Sequence, residues 1–241
     1  MNIMIDFILC ILAAAILLSM IGKNTIVAIS RFLALVIAVT TATLIAPVLA
    51  RAVAPVTERW NFYRSAAVTD LANLAEVRRL DSVSLTLAQF QAETLVKEKP
   101  DEMQELLVRY DTSVQEIESK IGQAAGLDYT DRFVSEMAYP AWRTTVQTIL
   151  FLLLILILYA VLVSVFRALL YHFFPKDKKR KVPALTWLFA LLSVLIVVSY
   201  VAVPVLDAFT PYAMGVLRTL RLDSACANSL LYGWCRTLYI L

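Results

Sequence analysis

From Val146 to Phe166 the chain runs for 21 residues without a charged side chain, and Leu, Ile and Val dominate the stretch. Coiled as an α-helix at about 1.5 Å per residue, it reaches roughly 31 Å, the thickness of a bilayer's hydrocarbon core. A helix in a soluble protein shows a polar face to water; this one has none to show, so it calls for lipid as solvent. Three further runs qualify. Ile3 to Ile21 is broken only by Asp6, Ile26 to Ala50 carries Arg31 near its start and Pro47 near its end, and Pro183 to Leu206 has Pro204 late. Hydrophobic residues make up 60% of 241 and charged residues 17%, against roughly 45–50% and about a quarter in ordinary soluble domains. No soluble fold of this length hides that excess.

The first run reads as a span and not as a signal peptide. It lacks a basic start, Asp6 stands where lysine is expected, and Lys23-Asn24 leads straight into the next apolar run. The runs pair into two hairpins. Gly22 to Thr25 is a tight polar turn between the first two, and residues 175–181 join the last two. The second turn holds Lys176, Lys178, Lys179, Arg180 and Lys181 against one acid, Asp177, and Lys23 marks the first. Short basic loops stay cytoplasmic, which places both turns inside and the N-terminus, the middle segment and the C-terminus outside. The expected architecture is an all-α integral membrane protein of the cytoplasmic membrane with two transmembrane helical hairpins (four spans). Its parts are hairpin 1 over 1–50, a helical extracytoplasmic insert over 51–142, hairpin 2 over 143–209 and an interfacial amphipathic tail over 210–241. The basic turn has this topological role, with anionic lipid head groups as added partners. It is too short, and too poor in interleaved aromatics, for nucleic acid.

The insert carries fifteen acidic residues against ten basic ones. Met103, Leu107, Tyr110, Val114, Ile117 and Ile121 are spaced 4, 3, 4, 3, 4, which predicts one amphipathic helix starting at Pro100 and ending near Gly122 or Gly126. Further helices are expected around Val56–Leu80 and Leu85–Val96. Asp131–Trp142 is expected to lead into the third span, with a bend at Pro140. The stripe suits packing within the chain; a docking face for a second copy is the other reading.

Chemistry has little to work with. His172 is the only histidine, so neither a His-based zinc site nor a relay through an acidic partner in the insert is available, and no catalytic or phosphate-binding motif occurs. No enzyme activity, metal or cofactor is expected. Asp6, Arg31, His172 and Asp207 lie in or beside the spans, where charge often marks a pathway or a partner. Each is near a span end, so interfacial placement is expected for all four. Arg31 is expected to snorkel to the cytoplasmic side, away from Asp6. Cys10 is expected to be a small buried hydrophobe. Cys226 and Cys235 would lie roughly 13 Å apart on one straight helix, so they bond only if a turn separates them in an oxidising compartment. The tail from Thr210 mixes Arg218, Arg221, Asp223 and Arg236 with Tyr212, Tyr232, Trp234 and Tyr239, a composition suited to the outer interface; a re-entrant segment is the alternative.

The opening Asn2-Ile3-Met4-Ile5-Asp6, the Gly22-Lys23 turn, Pro140 before the third span, Pro183 before the fourth and the Asp223–Tyr232 tail together resemble the CvpA-like (colicin V production) family in its longer Gram-positive form. The likeness covers nearly the whole chain as a pattern. It departs at Asn24-Thr25-Ile26 and at Ala184-Leu185-Thr186-Trp187-Leu188, where the family carries glycines. The resemblance implies a non-enzymatic membrane protein that supports toxin production, export or envelope integrity by binding membrane or envelope partners or itself, and it brings no catalytic residue. The alternative expectation is a subunit of a small oligomeric channel or transporter.

Overall fold

The computed structural model describes residues 3–20, 23–57, 62–78, 80, 82–110, 112–174, 182–206, 229 and 231–234. These form helices α1 (Ile3–Met20), α2 (Thr25–Thr57), α3 (Phe62–Leu74), α4 (Val83–Leu87), α5 (Ala92–Glu98), α6 (Pro100–Arg109), α7 (Val114–Ile121), α8 (Gly126–Phe173) and α9 (Pro183–Val197). A π-helical segment, Val198–Ala202, continues α9, and 231–234 form one further turn. No strand occurs among the described residues. They fall into two compact units, 3–50 with 147–206 and 229–234, and 51–146, whose boundaries lie within α2 and α8.

The first unit holds the apolar helices. Three stretches are long and apolar enough to cross a bilayer, Thr25–Thr57, Gly126–Phe173 and Pro183–Leu206. Helix α1, with 18 residues, is about 27 Å long and falls just short of the roughly 30 Å core. Leu18, Leu44, Val48, Leu156, Ile157, Val161 and Leu191 turn outward and are exposed. A shell of such side chains would be unstable against water and is solvated by acyl chains. The chain is thus an all-α membrane protein in contact with the lipid bilayer.

Inside this unit, α2 presents Ser30, Ala34, Ala38, Ala42, Ala46 and Ala50 at every fourth position, all at most 1% exposed. Lipid gives helices no hydrophobic reason to associate, so they depend on van der Waals contact, and small residues let backbones approach. A four-residue step on a 3.6-residue helix advances the stripe by about 40° each time. Off this stripe, Ala28 packs with Met20 and Ala190, while Ala42 and Ala46 pack in one cluster with Phe151 of α8 and Ile196 and Val197 of α9. Where α2 and α9 begin, the Val182 N–H donates to Thr25 Oγ1 at 2.9 Å.

The second unit has a conventional core. Met103, Leu107, Tyr110, Ile117 and Ile121 are all buried in it, with Phe133, Val134 and Met137 from α8. The expected single helix through that stripe is in fact two, α6 and α7. Ser113 breaks them, because its side chain accepts the Glu116 N–H at 3.3 Å and so caps a new helix. The Val56–Leu80 helix contracts to α3, and Leu85–Val96 divides into α4 and α5. Pro100 opens α6, and Gly122 leaves α7 with φ +68°, a conformation that costs glycine little. Pro140 lies within an unbroken α8, so the insert does lead directly into the third apolar run. Trp142 Nε1 donates to the Ala54 carbonyl at 3.2 Å, Tyr63 Oη meets Thr145 Oγ1 at 2.9 Å, and Arg64 pairs with Asp131 at 2.5 Å. Tyr110 Oη donates to Asp70 Oδ2 at 2.9 Å.

Two predictions follow from this core and its surface. Phe133 is fully buried, so Phe133→Ala should cost about 3–5 kcal/mol, seen as a lower unfolding midpoint of the detergent-solubilised chain. At the surface Lys99 Nζ bonds Glu76 Oε1 at 2.7 Å and the Leu74 carbonyl at 3.0 Å, tying off the end of α3. That ammonium holds the Glu76 carboxyl below its ordinary 4.5, first by the hydrogen bond and then by charge, and Glu76 raises Lys99 above 10.5. A carboxyl lowered in the fold contributes above its unfolded value and loses that contribution as pH falls through the folded one; for the raised ammonium the loss comes as pH rises past 10.5. Glu76→Gln should therefore slightly flatten the acid limb of a stability–pH curve while leaving stability between pH 9 and 10 lower than in the parent, and an unchanged acid limb would contradict the linkage.

Candidate functional site

Two groups of polar side chains in the membrane unit include candidate residues. The first is a cleft of about 350 Å³ to which α1, α2, α8 and α9 all contribute, through residues that include Ser19, Arg31, Leu35, Ile155, Tyr159 and Ser193. Arg31 sits six residues into α2, about 9 Å along its axis. Its Nη1 donates to the Ser19 carbonyl. That carbonyl belongs to the last turn of α1, where carbonyls have no intrahelical donor and the helix dipole favours a cation. The side chain thus reaches back along the helices towards the α1–α2 turn, as snorkelling requires, yet remains half-buried and lines the cleft. None of the ion pairs found among the described residues includes Arg31. Ser19 and Ser193 donate to their own helices, to the carbonyls of Ile16 at 2.7 Å and Phe189 at 2.8 Å, and keep their oxygens as acceptors.

The second place joins the two ends of the chain. Asp6 Oδ1 accepts from Ser229 Oγ at 2.6 Å and from the Leu231 N–H at 3.1 Å. Ser229 Oγ in turn accepts the Tyr232 N–H at 3.1 Å. Together the carboxylate and the hydroxyl satisfy the free donors of the 231–234 turn, as an N-cap does. Tyr232 packs with Ile5, Leu9, Val198 and Val203 beneath them. A charged acceptor shared by two donors is an interaction of about 1.5–3 kcal/mol per bond when partly buried. This part of the expected interfacial tail is therefore docked on α1 and the end of the last apolar stretch.

Of the other candidates, His172 lies in the last turn of α8 with its ring edge-on to Phe173, 5.5 Å between centroids. Lys23 is exposed in the first turn, where its backbone N–H bonds the Met20 carbonyl at 3.2 Å. Asp207, Lys176, Lys178, Lys179, Arg180, Lys181, Cys226 and Cys235 lie outside the described residues. Cys10 corrects its expectation. It is exposed, on the outward side of α1, because Leu9 beside it takes the buried position. The structure places Asp6 and Arg31 in separate hydrogen-bond networks. The sequence reading missed Tyr159, whose only signal is a phenol in the middle of the Leu/Ile run. It also missed Ser229, which stands 223 residues from its partner.

Comparison of the chain with protein-family models, with curated proteins and with solved structures returns no match in any of the three.

Loss of the Asp6 carboxylate should free the tail. In Asp6→Ala the amides of Leu231 and Tyr232 should exchange at least roughly tenfold faster, as expected when about 1.5 kcal/mol of charged bonding is lost. Asp6→Asn, which keeps an acceptor without the charge, should fall between. Equal exchange in all three proteins would show that apolar packing alone holds the tail.

Proposed function

We propose that the chain is a non-enzymatic, four-span membrane protein of the CvpA type that acts by binding membrane or envelope partners. The observation that carries this reading is the bond from Val182 to Thr25. It brings the starts of α2 and α9, and hence the ends of both hairpin turns, to one end of the membrane unit. Starts of α2 and α9 that meet at one end suit short basic loops that stay on a single cytoplasmic side. Helix α1 then serves as the fourth span, with its slight shortfall in length met by local thinning of the bilayer. The close-packed stripe of α2 supports a structural bundle, since small residues fill the space a pore would need. The resemblance of the Asn2–Asp6 opening, the Gly22-Lys23 turn and the proline positions to CvpA-like proteins supplies the rest: support of toxin production or export, or of envelope integrity.

A channel or transporter subunit is the second reading. It is favoured by one feature, the cation Arg31 in a cleft formed by four helices.

Reporter fusions at Lys178 and Gln115 should report opposite compartments, cytoplasmic for the first; the same compartment for both would end the four-span scheme. Gentle extraction from the native membrane should repeatedly recover the same partner proteins. For the second reading, ion flux through liposomes bearing the intact protein should be absent and unchanged by Arg31→Gln or Asp6→Asn. Flux that Arg31→Gln abolishes would replace the first reading with the second.

A further inference from the structure

Arg31 has five N–H donors in a rigid fork, and among the described residues it has one acceptor, the Ser19 carbonyl, and no carboxylate. A guanidinium inside apolar helices is costly unless an anion or further acceptors meet it. Tyr159, on the wall of the same cleft, likewise has no hydrogen-bond partner for its hydroxyl among the described residues. On the α8 side the cleft is walled by Leu152, Ile155 and Leu156, and Leu156 is 67% exposed on the outer surface of the bundle. The space is thus open sideways, towards acyl chains. Its volume of about 350 Å³ is within the roughly 300–1,000 Å³ of small-molecule sites.

We propose that this cleft is a binding site for an anionic phospholipid. The lipid phosphate meets the free edge of the Arg31 guanidinium and accepts from the Tyr159 hydroxyl, and its chain lies along Leu152, Ile155 and Leu156. Charge complementarity selects an anion, and the apolar wall that opens to the bilayer selects an amphiphile over a free ion. The planar fork suits phosphate, whose oxygens it can bond in pairs. The site requires that the bundle lie in a bilayer; it does not depend on the number of spans, their orientation or the identity of protein partners.

The test uses the full chain reconstituted in phosphatidylcholine with and without phosphatidylglycerol, then stripped with mild detergent and weighed by native mass spectrometry. The parent should keep one phosphatidylglycerol per chain. Arg31→Gln should retain it roughly tenfold less well, as expected for one lost charge-assisted contact. Tyr159→Phe should lower retention severalfold, and Lys23→Gln, which alters only an exposed charge at the nearby turn, should match the parent. If Arg31→Gln fails to fold, Tyr159→Phe decides alone, since it removes one oxygen. Equal retention in the parent and Tyr159→Phe, or equal retention of phosphatidylcholine and phosphatidylglycerol, would overturn the proposal. Displacement of the lipid by inorganic phosphate would also overturn it, in favour of a small-anion site.

Discussion

The membrane unit depends on how closely its helices approach one another. In water the burial of apolar surface would pull them together; among acyl chains that drive vanishes, and each contact must be better than the lipid it displaces. Helix α2 meets this demand with a side chain no larger than serine at every fourth position from Ser30 to Ala50. Because the stripe winds around the helix, α2 does not lie against a single neighbour. Ala42 and Ala46 share one cluster with Phe151 of α8 and with Ile196 and Val197 of α9. The insert obeys the opposite rule. Its core is made of Phe133, Met103, Leu107 and Leu71, large side chains whose burial from water is itself the stabilising term.

The same distinction separates the polar groups. In the insert, charged residues sit at the surface in pairs such as Lys99–Glu76 and Lys120–Glu116, each contributing little. In the membrane unit two charged residues have defined tasks. Asp6 holds the tail, and Arg31 closes the end of α1 while leaving the rest of its fork over the cleft. Where solvent cannot supply hydrogen bonds, the placement of one charged side chain shapes everything around it.

The sequence made the apolar stretches legible, since length and the lack of charge are properties of the chain alone. It also marked the stripe from Met103 to Ile121, of which all but the partly buried Val114 are buried. It did not tell where helices stop. The stripe from Met103 to Ile121 keeps its period across the break at Ser113, because periodicity records which side must be covered and not whether the backbone between is continuous. Tertiary partners were hidden for a related reason. The acceptor for Arg31 is a backbone carbonyl, which has no signature in a sequence, and the partner of Asp6 comes from the far end of the chain. Cys10 was misjudged because an apolar run does not say which of its members faces the lipid.

The π-helical segment after α9 has a consequence for everything beyond it. In a regular α-helix, residues five apart point about 140° away from each other. Here the Val203 N–H bonds the Val198 carbonyl, one residue further back than usual, and both side chains enter the same apolar cluster with Ile5 and Tyr232. The surplus residue acts as a change of phase: it turns the end of the helix so that two valines otherwise splayed apart form one seat. On that seat rests the ring of Tyr232, so the docking of the 231–234 turn is written partly in the winding of a helix it does not belong to.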